Sequence, residues 1–358
     1  MQRIILHIDL DSFYASLEEL RHEDIRGKPV VICVFSGRSE DSGTVSTANY
    51  KARELGIKSG MPISLAKRLA KDKDVAFLQN DIEYYRTVSD RIMEIIEEEA
   101  DIFQQVSIDE AYLDVTKKSM DKWDNAKKIA EKIKKKIKEQ EGLTCSVGIG
   151  PNKLVAKMAS KHQKPNGLTI IKDAEVKEFF ENLPVSKIHG IGEKTTKILD
   201  ELGIKTAKEL ASSDIKILEK KFGKNKSKLL LDKSQGIDDS PVEQKDRQQI
   251  SRLGTLKEDT DNIEVIFEKI KELATDMKKK IEKVSFRTVS IITIDTALKT
   301  QTRSETVQVT NNLDSVLPIT KSLLENFLKE NSEKKLRRVG IRVSNLVYKK
   351  EQKTIGDF

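Results

Sequence analysis

The chain has 358 residues, 34% of them charged and only 5% aromatic, with a net charge of +7. That length calls for two or more domains. No apolar run approaches the roughly 20 residues of a membrane span and no secretory signal pattern opens the chain, so a cytoplasmic protein with no membrane partner is expected. Two separated cysteines and four scattered histidines exclude a disulfide framework or a zinc site, and a basic cytosolic chain makes nucleic acid the first partner to consider.

The first element is a strand. In Arg3-Ile4-Ile5-Leu6-His7-Ile8-Asp9-Leu10-Asp11-Ser12-Phe13-Tyr14, Ile4, Leu6 and Ile8 alternate with Ile5, His7 and Asp9. The run is therefore buried on at least one face and sends Asp9 and Asp11 the same way at its C-terminal end. Carboxylates there are costly unless they are paired or used. Residues 12–20 follow with helical spacing, and Pro29-Val30-Val31-Ile32-Cys33-Val34-Phe35 is a second buried strand. Thr44-Val45-Ser46-Thr47-Ala48 is a short strand of small residues, and residues 49–55 form a helix with Tyr50 and Arg53 one turn apart. Another helix opens at Gly60-Met61-Pro62. Residues 81–99 form a longer one, with Ile82, Tyr85, Val88, Ile92 and Ile95 on one stripe.

In Val106-Ser107-Ile108-Asp109-Glu110-Ala111-Tyr112-Leu113-Asp114-Val115 the alternation slips at Asp109-Glu110. A turn or bulge at that point would aim two adjacent acids at one place; a hairpin turn with solvated acids is the plainer alternative. Residues 121–140 form a Lys-rich amphipathic helix whose lysines read as a solvated face. Leu143-Thr144-Cys145-Ser146-Val147-Gly148-Ile149 is a strand, and Asn152 caps a helix to about Lys161. This irregular mixture predicts an α+β domain with an antiparallel or mixed sheet.

From about residue 173 the chain turns helical and basic. Ile188-His189-Gly190-Ile191-Gly192-Glu193-Lys194 places a Gly-x-Gly turn between short helices. It reads as a helix-hairpin-helix whose backbone N–H groups at Gly190 and Gly192, with Lys194, suit a phosphate; a plain αα-turn is the alternative. Residues 234–249 are polar and read as a linker. Beyond them, strands at 252–258, 288–296, 302–309 and 336–346 and helices at 263–281 and 319–328 predict a βαββαβ unit. Residues 241–358 hold 23 Lys and Arg against 18 Asp and Glu. A sheet edged by Arg252, Arg287, Arg303, Arg337, Arg338 and Arg342 would suit a phosphate backbone.

Asp9, Asp109 and Glu110 are hard oxygen donors with no matching His or Cys, a set suited to Mg²⁺. Two such ions sharing carboxylates serve an in-line phosphoryl displacement. Tyr50, Arg53 and Lys164 suit the charge of a triphosphate. Four blocks carry a resemblance: Ile8-Asp9-Leu10-Asp11-Ser12-Phe13-Tyr14, Thr47-Ala48-Asn49-Tyr50-Lys51-Ala52-Arg53, Ser107-Ile108-Asp109-Glu110-Ala111-Tyr112 and Lys164-Pro165-Asn166-Gly167. In order, and over essentially the whole chain, they resemble the Y-family lesion-bypass DNA polymerases, in the archaeal branch of DNA polymerase IV type.

The resemblance implies an α+β multidomain, right-hand fold. Its parts would be a palm (1–11 and 81–171), fingers (12–80), a helical thumb with the helix-hairpin-helix (172–233), a linker (234–249), a βαββαβ little finger (250–346) and a tail (347–358). It implies error-prone, template-directed addition of dNTPs to a primer-template DNA, with release of pyrophosphate and no proofreading, by a monomer. Asp9 and Asp109 would bridge two Mg²⁺ ions, with Mn²⁺ as a substitute, and Glu110 and the Leu10 carbonyl would complete the ligands. Tyr50, Arg53 and Lys164 become the triphosphate contacts, and Tyr14 the steric gate against a ribose 2′-hydroxyl. Val34, Thr44, Ser46 and Gly60 match a roof of small residues over the nascent pair. Asp11 is not made a ligand and takes a structural role. Gln352-Lys353-Thr354-Ile355-Gly356-Asp357-Phe358 resembles the peptide that binds the PCNA sliding clamp, with Gln352, Ile355 and Phe358 as anchors and one terminal aromatic instead of two. Two rival readings are a palm-type nucleotidyl cyclase and a non-catalytic DNA-binding protein on a polymerase fold. The first needs no helix-hairpin-helix, and the second sits poorly with three intact acids.

Overall fold

The computed structural model describes residues 3–348, so Gln352, Ile355 and Phe358 of the expected clamp peptide lie outside the described residues. The chain divides into two compact units, residues 3–34 with 44–245 and residues 35–43 with 246–348. In the first, β1 (Ile5–Leu10) leads into α1 (Phe13–Arg21), and β2 (Val30–Phe35), β3 (Gly43–Ala48), α2 (Tyr50–Glu54), α3 (Ile63–Leu69) and β4 (Ala76–Gln79) follow. Next come α4 (Ile82–Glu97), β5 (Ile102–Gln105), β6 (Glu110–Asp114), α5 (Trp123–Glu141), β7 (Cys145–Gly150), α6 (Lys153–His162) and β8 (Leu168–Ile170). Helices α7 (Asp173–Glu181), α8 (Glu193–Glu201), α9 (Ala207–Ala211), α10 (Ile215–Phe222) and α11 (Lys224–Ser234) close it. The second unit holds β9 (Gln249–Thr260), α12 (Ile263–Ile281), β10 (Val284–Asp295), β11 (Thr300–Thr310), α13 (Leu317–Glu330) and β12 (Leu336–Tyr348).

Strand β1 lies at the centre of a five-stranded sheet of order β5-β6-β1-β7-β8, antiparallel to both neighbours. Its even positions, Leu6, Ile8 and Leu10, share a face with Ala111, Leu113, Cys145, Val147 and Ile149. That face is buried with Tyr85, Val88, Ile92 and Ile96 of α4 and Ala126, Ala130, Ile133 and Ile137 of α5. Each leucine, isoleucine or valine among them contributes about 1.5–3 kcal/mol by leaving water. The odd positions, Ile5, His7 and Asp9, face α6. That helix comes close because β7 offers glycine: a Cβ on Gly148 would stand 2.0 Å from Ala156 O and 2.2 Å from Ser160 N.

Strands β3, β2 and β4 form a second, three-stranded sheet, with β4 parallel to β2. Strands β4 and β5 are absent from the sequence reading. Each has only four residues, too short for an alternation to declare itself. The slip expected at Asp109-Glu110 is a turn between β5 and β6, with Glu110 the first residue of β6. The polar stretch read as a linker starts as a strap on the first unit. Arg3 donates to the carbonyls of Asp238 and Ser240, and Val242 is buried with Ile5, Tyr112 and Ala156.

The second unit has the expected βαββαβ order, and its four strands run longer than the sequence predicted, in the sheet order β11-β10-β12-β9 with antiparallel neighbours. Helices α12 and α13 bury one face against Val289, Ile291, Val339, Ile341 and Val343. The expected common arginine surface is divided by this register. Arg338 and Arg342 lie on the opposite face, whereas Arg252 pairs with Ile341 and Arg303 with Ile291, both positions of the helix-covered face. Arg287 falls in the bulge between Phe286 and Thr288. No helix among the described residues is long and apolar enough to cross a membrane.

Candidate active site

Three acids stand on adjoining strand ends beside the C-terminal end of β1. Asp9 is the register partner of Glu110, and the Leu10 N–H donates to the Asp109 carbonyl at 2.9 Å. Asp9, only 8% exposed, is bound by the Lys164 ammonium. Burial raises the pKa of Asp9, and Lys164 opposes the shift. The Lys157 ammonium holds Glu110 well below the usual carboxylate range. His7 Nε2 stands 3.9 Å off, beyond hydrogen-bond reach, while Lys157 Nζ is 2.7 Å away. Asp109 accepts from Ser107 Oγ at 2.6 Å.

Among the described residues, no three acidic, histidine or cysteine side chains are gathered around one point as a ready metal cage. The donor chemistry fits a hard divalent cation all the same. The oxygens belong to carboxylates on adjoining strand ends, and two of the three acids already draw an ammonium group to themselves.

Asp11 is saturated. It accepts from Thr144 Oγ1 (2.9 Å), Ser146 Oγ (2.7 Å), the Asn166 N–H (2.8 Å) and Tyr50 Oη (3.4 Å). It thereby ties the loop of Lys164 and the start of α2 to the end of β1. On α2, Asn49 caps the helix by accepting from the Ala52 N–H, and its amide nitrogen donates to the Lys28 carbonyl. Arg53 Nε donates to the Ala48 carbonyl at 2.8 Å, and its guanidinium lies over the Tyr50 ring. The Tyr14 ring is stacked on Tyr85, centroids 4.4 Å apart and planes 19° from parallel. Tyr85 is fully buried and donates to Glu18.

Of the four small residues, Thr44 and Ser46 lie on β3. Gly60 is fixed beside them by its N–H to the Val45 carbonyl, at a φ of 82° that favours glycine. Val34 is near the end of β2, 46% exposed. Gly190, Gly192 and Lys194 are exposed, and Gly192 caps α8 with no side-chain acceptor on its first N–H groups. Arg337 donates to Asp259 at 2.9 Å, and Arg303 to Glu330 at 2.8 Å. The Nε atoms of Arg252, Arg338 and Arg342 have no partner among the described residues. Lys157 and His7 are the residues at the acids that the sequence reading missed. A lysine between apolar positions of α6 and a histidine inside an apolar strand were the available signals.

The comparisons agree with this geometry. A family model described as the impB/mucB/samB family matches residues 8–161, its C-terminal domain matches 247–355, and the helix-hairpin-helix motif of that family matches 173–204. A protein named DNA polymerase IV from Methanosarcina acetivorans is 44% identical over 100% of both chains, and one from Nitrosopumilus maritimus 39% identical over 99% of both. Among solved structures, a Y-family DNA polymerase chimera of Dbh and Dpo4 superposes with a TM-score of 0.91 at 35% identity, covering 96% of this chain and 99% of that one. An insertion ternary complex of Dbh DNA polymerase gives 0.72 at 34% identity over the same shares.

Proposed function

The chain belongs to the impB/mucB/samB family of Y-family DNA polymerases, and from that premise we propose how its residues divide the work. The protein is a DNA-directed, translesion DNA polymerase: template-directed joining of a primer 3′-oxygen to the α-phosphorus of a dNTP releases pyrophosphate. The reaction depends on divalent metal. Asp9, Asp109, Glu110 and the Leu10 carbonyl would hold two Mg²⁺ ions, for which Mn²⁺ substitutes. Bound there, the ions would favour ionisation of the primer 3′-hydroxyl and offset the charge gathering on pyrophosphate.

The chain's own groups do the rest. Lys164 exchanges its contact with Asp9 for a phosphate oxygen of the incoming nucleotide. The Arg53 guanidinium, anchored through Nε at Ala48, keeps its terminal N–H groups for the same triphosphate, and the Tyr50 hydroxyl adds a donor. Tyr14, backed by Tyr85, stands where a ribose 2′-hydroxyl would collide. The small side chains of Val34, Thr44 and Ser46, with Gly60, leave a pocket that discriminates weakly by shape and admits a damaged base. Gly190, Gly192 and Lys194 receive DNA phosphates, as do Arg338 and Arg342 and, at the sheet edge, Arg252. Arg337 gives up its pair with Asp259 to contribute. We further propose a cytoplasmic monomer whose tail, through Gln352, Ile355 and Phe358, docks on the sliding clamp.

The observation that carries this reading is the meeting of Asp9, Asp109 and Glu110 at adjoining strand ends. Primer extension on an undamaged template and on one with an abasic site tests it, with the Asp109→Ala/Glu110→Ala variant alongside. Extension past the lesion that vanishes in a variant still binding primer-template is the expected result. Undiminished extension by the double variant would overturn the assignment of the acids.

A further inference from the structure

The division of labour above leaves a buried ammonium beside the acids without a task. Lys157 of α6 is 5% exposed, within a run of seven consecutive buried residues at 154–160. An ammonium in such a place needs partners. Its Nζ donates to Glu110 Oε2 at 2.7 Å and approaches His7 Nε2 at 3.2 Å. His7 is completely buried, and its Nε2, facing an ammonium, can only accept. With Nε2 accepting from Lys157, the proton sits on Nδ1 and goes to Ser160 Oγ at 2.8 Å; that hydroxyl in turn donates to the Lys157 carbonyl at 2.9 Å. The chain of bonds is closed, and it ties β1, β6 and α6 together directly behind the acids.

Lys157 differs from Lys164 in its freedom. Lys164 sits on a loop, with a side chain 22% exposed, and can leave Asp9. Lys157, at 7% and held also by the His7 ring, stays with Glu110. We propose that Lys157, braced by His7 and Ser160, is a positioning residue that fixes Glu110 Oε2 and leaves Oε1 as the oxygen offered to a divalent cation. The proposal rests on the reading of Glu110 as a metal ligand.

The test uses the full chain on primer-template DNA, with Lys157→Met, Ser160→Ala, Glu110→Gln and the Lys157→Met/Glu110→Gln pair. Two quantities are read: steady-state kcat and KM for a dNTP, and Mn²⁺ binding to the protein–DNA complex by electron paramagnetic resonance. Lys157→Met is expected to lower kcat and weaken Mn²⁺ binding by about 10- to 100-fold each, with KM for dNTP little changed. In the Glu110→Gln background the same substitution should change Mn²⁺ binding no further. Ser160→Ala, which leaves the ion pair in place, should show a smaller loss of the same kind and keeps the test open if Lys157→Met does not fold. An equal loss in both backgrounds, or none with a folded protein, overturns the positioning role. Mn²⁺ binding and kcat both untouched by Glu110→Gln would instead overturn the ligand reading beneath it.

Discussion

Asp9 and Glu110 are register partners on antiparallel neighbours, and their carboxyls are pushed in opposite directions, Asp9 up by burial and Glu110 down by the Lys157 ammonium. Two acids on one face at neighbouring positions repel when both are ionised. The chain offsets that repulsion with two lysines arriving by separate routes, Lys164 from the loop after α6 and Lys157 from within it. The Lys164 side chain is 22% exposed and that of Lys157 7%, so on the proposed reading the first exchanges and the second does not. That asymmetry separates a group able to follow the substrate from one that keeps the scaffold in place.

Asp11→Ala removes the shared acceptor of Thr144, Ser146, Asn166 and Tyr50. Of these donors only Ser146 is buried, and leaving its hydroxyl unpaired costs about 1–3 kcal/mol. The thermal midpoint should fall, and KM for dNTP should rise because the loop bearing Lys164 and the helix bearing Tyr50 lose a common anchor. Differential scanning calorimetry and steady-state kinetics check both outcomes.

Gly148→Ala should be among the more harmful single-methyl changes in the first unit. The added carbon would fall 2.0 Å from Ala156 O and 2.2 Å from Ser160 N, so α6 must move off β7. Overpacking of this kind costs about 1–3 kcal/mol or more. It also displaces Lys157 from Glu110, so kcat should drop more than KM changes. An unchanged melting curve would refute the close-packing argument.

Asp9 stood out because it ends an apolar run whose alternation gives direction as well as burial, and Asp109 and Glu110 because the alternation slips at them. Lys157 did not. Lys153, Lys157 and Lys161 recur every four residues and look like one solvated stripe. Only the approach of α6 to Gly148 shows that the middle one points inward. Val242 was hidden in the same way, as one apolar residue in a polar stretch. For the arginines the sequence supplied the residues but not the face. The bulge at Phe286/Thr288 and the register shift between Leu336 and Arg338 decide which side each takes.

That sorting makes a prediction of its own. Arg338→Ala/Arg342→Ala should reduce the slope of log Kd against log salt for primer-template by about 2, one unit for each phosphate no longer neutralised. Arg303→Ala, whose side chain is paired with Glu330, should leave the slope unchanged. Fluorescence anisotropy across a potassium chloride series distinguishes the two. Equal effects would mean that the face on which an arginine lies does not matter.

Deletion of residues 352–358 should abolish stimulation by a sliding clamp while distributive synthesis continues. On the proposed reading, docking on a clamp would raise the local concentration of polymerase at the primer end without altering the active site. Processivity on a clamp-loaded template is the measurement, and loss of basal extension would make the tail part of the fold instead.

Tyr14→Ala tests the proposed steric gate. The ring is stacked on Tyr85, which is fully buried and hydrogen-bonded to Glu18, so Tyr14 cannot retreat to admit a 2′-hydroxyl. Removing it opens the space under the sugar, and rejection of ribonucleotides should fall by at least about tenfold. The change should appear in kcat/KM for rNTPs, with dNTP use affected far less. Tyr85→Phe keeps the stacked surface and loses only the bond to Glu18, so its discrimination should stay within about threefold of the parent, in keeping with packing and not hydroxyl chemistry as the barrier. Single-nucleotide insertion with matched dNTP and rNTP pairs decides the matter. Unaltered discrimination in Tyr14→Ala would move the gate to another side chain.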